Sequence, residues 1–345
     1  MGLLSLLPNF VTAKLTQYST GFLTSLYLLW RWVRTGGAAL RVKERQRPKV
    51  LDKYAHNHIE LPSGINMHYV EAGDPSAPLM VMVHGFPEFW YSWRFQIDHF
   101  KDRYRVVAID QRGYGETSKS AAITDYRTTT LAKDLDELIH ALGADSAIVL
   151  AHDWGAGVAW THAILYPKSV SQLVICNLPH PYVLFSMINE NERQRTASWY
   201  MFFYQTPWLP EAVMAADDFK SFKAFFWGKQ AGLRNRANFT EEDMEAWKYT
   251  FSKPNALRGP INFYRAAFQY PDTKAFTAKC KVKTLIVWGD ADGALLKEGA
   301  EESLKWCDDA QLRYVPGASH WVQQDEPTVV NQYIDEFLTS PKSSI

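Results

Sequence analysis

Five short, almost wholly apolar runs constrain this chain more than any other feature. They are Leu79 to Val83, Val106 to Ile109, Ala147 to Ala151, Val170 to Cys176 and Thr284 to Trp288. A strand that is apolar along its length, rather than at every second residue, is covered on both faces, as in a parallel sheet. Leu131 to Leu142 and Val158 to Tyr166 carry apolar residues at helical spacing, and Pro167 stops the second. The alternation predicts βαβ units: an α/β fold with a mostly parallel central sheet and helices on both faces. From Pro179 to about Asp272 the pattern breaks into a long, aromatic-rich helical stretch, and it resumes at Lys283. That stretch reads as a cap inserted over the sheet. The expected division is a core of residues 51–178 and 273–345, with a helical cap at 179–272.

Composition narrows the class of function. Lys plus Arg and Asp plus Glu each number 37, so there is no basic excess of the kind a nucleic-acid binder shows. The 13 Trp, 17 Tyr and 19 Phe are enough to fill a large core and still line an apolar cavity. Cys176, Cys280 and Cys307 are too few and too widely spaced for a disulfide framework or a C-x-x-C metal site. No H-E-x-x-H and no post-strand G-x-G-x-x-G occurs, so neither a metal nor an organic cofactor is expected. His56 and His58 read as structural.

Residues 1–50 are a separate problem. Leu15 to Trp30 carries no charge, but as a helix it would be only about 24 Å long against a hydrocarbon core of about 30 Å. The positive charge follows the apolar segment, the reverse of a signal peptide. Arg31, Arg34, Arg41, Lys43, Arg45, Arg47 and Lys49 oppose only Glu44 locally, a flank suited to anionic headgroups. The expectation is an N-terminal membrane-anchor segment, spanning the bilayer or lying on it. The charge bias puts the catalytic domain on the cytosolic side, with the endoplasmic reticulum as the expected membrane. Asn238-Phe239-Thr240 is a lone glycosylation sequon, relevant only to a luminal domain.

The chemistry is expected at strand ends. Val149 to Gly157 runs from an apolar strand through Ala151-His152-Asp153-Trp154-Gly155 into a helix. Small residues on either side of Asp153 permit the strained, exposed turn of a nucleophile elbow, which a simple helix-capping aspartate would not require. A serine attacking a saturated carbon would form an ether that no His-activated water could cleave. A carboxylate forms an ester, which it can. Asp153 therefore points to epoxide opening or dehalogenation rather than acyl transfer. His84-Gly85-Phe86-Pro87 follows a buried strand and suits an oxyanion loop, with the N–H groups of Phe86 and Trp154 as the donors. The strand Leu285 to Trp288 ends in Asp290 and Asp292, and His320 follows a short strand at Leu312 to Val315. This is the order nucleophile, acid, histidine. Spacing leaves the acid open between Asp290 and Asp292.

Taken jointly, His84-Gly85-Phe86-Pro87-Glu88, Arg112-Gly113-Tyr114-Gly115, His152-Asp153-Trp154-Gly155, Arg258 to Arg265 and Ser319-His320-Trp321 resemble the epoxide hydrolases of the α/β-hydrolase superfamily. The resemblance extends from about residue 55 onwards and is closest to the membrane-anchored members. It implies an α/β-hydrolase fold with Asp153 as nucleophile, His320 as general base and Asp292 as the acid that orients it. It also implies two cap tyrosines that donate to the epoxide oxygen. Tyr264, in Gly-Pro-Ile-Asn-Phe-Tyr, is one. Tyr200 and Tyr204 share a helix face, so periodicity does not choose between them; the family string favours Tyr200, leaving Tyr204 to the cap core. One departure is Ala151, where the family often has glycine. The expected partners are a small, lipophilic epoxide, such as that of a fatty acid, and a membrane. The alternatives are a haloalkane dehalogenase, revealed by halide release, and a catalytically silent lipid-binding homologue, revealed by binding without diol.

Overall fold

The structure is a computed structural model that describes residues 10–272 and 276–340. The five apolar runs stand together in the middle of an eight-stranded sheet. The strands are β1 (Ala55–Glu60), β2 (Asn66–Ala72), β3 (Leu79–Val83), β4 (Arg105–Ile109), β5 (Ala147–His152), β6 (Val170–Cys176), β7 (Thr284–Gly289) and β8 (Ala310–Val315), in the spatial order β1-β2-β4-β3-β5-β6-β7-β8. Pairing is parallel from β4 to β8, and β1 and β2 join antiparallel at one edge. The sequence reading did not find β1 and β2. β1 carries His56, Asn57, His58 and Glu60 and is only half-buried, so no apolar run marks it.

Helices α1 (Phe10–Thr35), α2 (Arg94–Phe100), α3 (Thr128–Ala141) and α4 (Asp153–Leu165) precede β6. Between β6 and β7 the described chain is helical: α5 (Pro181–Glu190), α6 (Glu192–Ala197), α7 (Trp199–Phe203), α8 (Leu209–Trp227), α9 (Glu241–Phe251) and α10 (Arg258–Gln269). The expected cap boundary at residue 272 adjoins residues 273–275, which lie outside the described ones. All three cysteines are buried and free. The sequon asparagine, Asn238, is half-buried with its amide on the Asp325 carbonyl at 3.0 Å.

Two expectations for the N-terminal segment change. Among the described residues no helix is long and apolar enough to cross a membrane. α1 instead lies on α7 and α8, and its polarity is reversed relative to a surface helix. Thr16, Gln17, Thr20, Gly21, Thr24 and Arg31 face the cap, whereas Leu15, Tyr18, Phe22, Leu26, Leu29 and Val33 are 48–67% exposed. Thr20 and Thr24 return their hydroxyls to carbonyls of their own helix, and Gly21 admits Thr206 and Leu209. The basic flank, moreover, is not free as a whole. Arg31 pairs with Asp217, Lys43 and Arg45 with Asp218, and Arg47 with Asp52 and Glu116. The carboxylates that receive Arg31, Lys43 and Arg45 project from a break inside α8, where Asp217 and Asp218 adopt left-handed φ values of 52° and 63°. Aspartate tolerates that region better than most residues. Local charge counting missed Asp217 and Asp218 because they lie more than 170 residues from the cations they meet.

Candidate active site

β5 ends in the sharp turn that the small residues predicted. Asp153 has φ 48°, a conformation most side chains avoid, and it begins α4. The turn is possible because nothing crowds it: a Cβ on Gly155 would sit 2.3 Å from the His84 carbonyl oxygen, and one on Gly85 would sit 2.5 Å from the Asp153 Cβ. Ala151 fits beneath it, fully buried.

The two carboxylate oxygens of Asp153 differ in role. Oδ1 accepts the Phe86 N–H at 2.8 Å, and the Trp154 N–H also bonds the carboxylate. Oδ2 lies 3.4 Å from His320 Nε2. His320 Nδ1 bonds Asp292 Oδ2 at 2.8 Å, so of the two aspartates after β7 it is Asp292 that contacts the imidazole. Asp290 turns away and accepts the Gly317 N–H at 2.6 Å. Asp292 is itself fixed: Oδ1 accepts the Ala294 and Leu295 N–H groups at 2.7 and 3.0 Å, and Oδ2 also accepts Asn177 Nδ2 at 2.7 Å. Burial alone would push His320 towards its neutral form, but the flanking carboxylates Asp292 and Asp153 overcome it and hold the imidazole well above its usual range. The same ion pairing outweighs burial for Asp153 and Asp292, and both stay below the ordinary carboxylate range. The three groups are therefore coupled: the two carboxylate charges and a proton on the imidazole favour one another.

A cavity of about 720 Å³ opens above Asp153 and His320. The cap supplies its roof, including Tyr200, Phe203, Tyr204, Met214 and Tyr264. The Tyr264 ring meets Trp154 edge-on at 4.8 Å and Phe86 at 5.1 Å, and Tyr200 and Tyr264 are 6.0 Å apart between ring centroids. Burial, reinforced by the Asp153 charge, raises both tyrosines well above their ordinary value, so each stays protonated. Tyr204 also lines the cavity, closer to Tyr264 at 4.8 Å, but its hydroxyl faces Met214 Sδ at 3.9 Å.

Sequence reasoning missed three supporting residues. Glu88 is fully buried, bonds His152 Nδ1 at 2.7 Å and accepts the Gly85 N–H at 2.8 Å, which pins the oxyanion loop. His152 Nε2 bonds the His320 carbonyl at 2.8 Å. Asn177 stands at the end of β6, a place noted only for lacking a carboxylate; its amide links Gly289 to Asp292. No sequence spacing joins these residues, because they meet only when the strand ends are side by side. Elsewhere, His56, His68 and Glu116 place donors within 4.8 Å of one another. That group already holds a cation, the Arg47 guanidinium at 2.8 Å from His56 Nε2, and His68 Nδ1 is taken by Asp110 at 2.8 Å.

Comparison with known proteins agrees with this geometry. Residues 78–327 match the family model described as alpha/beta hydrolase fold. The chain is 43% identical to Epoxide hydrolase 2 of Caenorhabditis elegans over 93% of its length and 90% of that protein's. It is 39% identical to human Epoxide hydrolase 4 over 91% of its length and 88% of that protein's. The crystal structure of a Bacillus megaterium epoxide hydrolase in complex with an inhibitor superposes with a TM-score of 0.75 at 27% identity, covering 82% of this chain and all of that one. An elbow carboxylate under a tyrosine-bearing cap, on this sheet and among these relatives, has one reading: the chain belongs to the epoxide hydrolases of the α/β-hydrolase fold.

Proposed function

We propose that the protein converts lipophilic epoxides to vicinal diols through a covalent ester on Asp153. The observation that carries this reading is the division of labour between the two Asp153 oxygens. Oδ1 accepts the Phe86 main-chain N–H, and Oδ2 lies beside His320 Nε2 at the cavity. Oδ2 attacks an epoxide carbon, while Tyr200 and Tyr264 hydrogen-bond the ring oxygen and one of them gives it a proton. Ester formation removes one of the two negative charges that hold the His320 proton, so that proton passes to the tyrosinate and the imidazole becomes a base at the moment a base is needed. Water then adds to the ester carbonyl and passes a proton to His320. The oxyanion that forms lies against the Phe86 and Trp154 N–H groups. The diol leaves with the His320 proton, and the acid proton of Asp153 then returns to His320, restoring the resting ion pair.

The mostly apolar cavity favours a lipophilic substrate, and the outward apolar face of α1 favours contact with a lipid surface without spanning it. Diol formation from a panel of epoxy fatty acids and styrene-type epoxides tests the chemistry. Diol from wild type and none from Asp153→Ala is expected. Diol from both would remove Asp153 from its role, and halide release from chloroalkanes without diol would move the protein to dehalogenation. Flotation with phosphatidylcholine–phosphatidylserine vesicles, lost on Phe22→Glu/Leu29→Glu, tests the lipid contact.

A further inference from the structure

The cavity above Asp153 adjoins a second space of about 900 Å³, and the two share Ala197, Trp199, Lys229, Gln230 and Gly293 as walls. Their linings differ in charge. The inner cavity carries a single carboxylate, Asp153, at its floor. The outer one is lined by Arg193, Lys229 and Arg234 against Glu192 alone. Arg193 pairs with Glu298 at 3.5 Å. Arg234 donates only to the main-chain carbonyls of Lys229, Gln230 and Ala291, so no carboxylate neutralises it. Lys229 is exposed, and no described residue hydrogen-bonds or pairs with its ammonium. In a chain whose total charge is zero, this local positive excess lines the outer space, and Lys229 is the cation among the residues that both spaces share.

We infer that this vestibule is an anion subsite, with Lys229 as its specificity residue, that takes the carboxylate end of a long-chain epoxide while the ring sits at Asp153. The inference rests on the proposed function and deepens it, naming acidic rather than neutral lipid epoxides as the preferred substrates. Charge sets the direction of entry. An acidic head is repelled by the Asp153 carboxylate at the floor and attracted by Lys229 and Arg234 at the mouth. The apolar chain then crosses the aromatic wall between them, including Trp199 and Phe203, and only the epoxide carbon reaches the nucleophile. A neutral ester of the same chain keeps the apolar contacts and loses the polar anchor.

The test compares kcat/KM for diol formation from one epoxy fatty acid and its methyl ester, both below the concentration at which they form micelles. Wild type should prefer the acid by about three- to tenfold, as a partly solvated ion pair at a cavity mouth supplies. That ratio should fall towards one in Lys229→Gln, fall below one in Lys229→Glu, and shrink on raising salt from 0.05 to about 0.5 M because exposed charges are screened. The ratio is read within each variant, so a general loss of folded enzyme does not affect it. Equal turnover of acid and ester by wild type, or a ratio unmoved in both variants, would overturn the subsite. Absence of diol from either compound would instead strike the proposed function itself.

Discussion

Two histidine–carboxylate pairs flank Asp153, and the contrast between them separates a ring that faces the cavity from a ring that braces the site. His320 bonds Asp292 and leaves Nε2 beside the nucleophile and the cavity. His152 precedes Asp153 in sequence and bonds Glu88, but its second nitrogen is taken by the His320 carbonyl. One ring has a nitrogen free to exchange a proton; the other has both committed. Adjacency in sequence is thus a poor guide to role, and what the second nitrogen faces is a good one.

The largest expected effect breaks the pair at the cavity. His320→Gln should lower turnover by at least about a thousandfold while leaving the first step running, so the epoxide's mass accumulates on the Asp153 peptide in intact and digested mass spectra. Asp292→Asn leaves the geometry but not the charge or the tautomer, and should reduce kcat by about a hundredfold or more. Absence of a trapped ester in His320→Gln would mean that this histidine also serves the alkylation step.

Breaking the other pair should read out as stability first. Glu88→Ala leaves His152 and the Gly85 N–H without their acceptor in a fully buried place, an expected loss of about 3–5 kcal/mol in denaturant unfolding. Its activity should fall less than that of His320→Gln, through loosening of the Phe86 donor. A Glu88→Ala enzyme as stable as wild type would show the pair to be dispensable.

A smaller effect sharpens the electrostatic side. Asp153→Asn imitates the ester by removing one anion next to His320, so the imidazole should titrate lower than in wild type, measured by NMR of the labelled ring. The sign for stability follows. A raised histidine value stabilises the fold fully below the unfolded value of about 6.5, and the contribution disappears as pH climbs through the folded value. Wild type should therefore lose stability in that alkaline window more steeply than Asp153→Asn. The depressed Asp153 and Asp292 act in the opposite direction: their contribution is present above the unfolded value of about 4 and is lost as pH falls through the folded ones.

The smallest expected effect separates the cap tyrosines. Tyr264→Phe and Tyr200→Phe should each cost about ten- to a hundredfold in the alkylation rate, as loss of one of two oxygen donors does. Tyr204→Phe, whose hydroxyl meets only Met214 sulfur, should cost no more than a few-fold. Equal losses in Tyr200→Phe and Tyr204→Phe, by single-turnover kinetics, would reassign the second donor.

Much of this was legible without coordinates. The five apolar runs are the five central strands because a strand covered on both faces has no polar positions to dilute its signal, and Ala151, Asp153 and Gly155 mark an elbow because a strained turn excludes bulk. β1 escaped because a half-exposed edge strand tolerates histidine and asparagine, and β2 because its buried run is interrupted by His68, whose partner Asp110 arrives only with the folded sheet. The choice between Asp290 and Asp292 turned on which way each carboxylate points after β7. The partners Asn177, Glu88 and His152 depended on which strand ends become neighbours. The fate of the basic flank depended on two aspartates in a broken turn of α8. Local pattern determines whether a segment is buried and how it bends, since both are properties of adjacent residues. Which charges meet, and therefore which histidine can move a proton, is set by contacts between residues far apart in the chain, and only tertiary structure decides those.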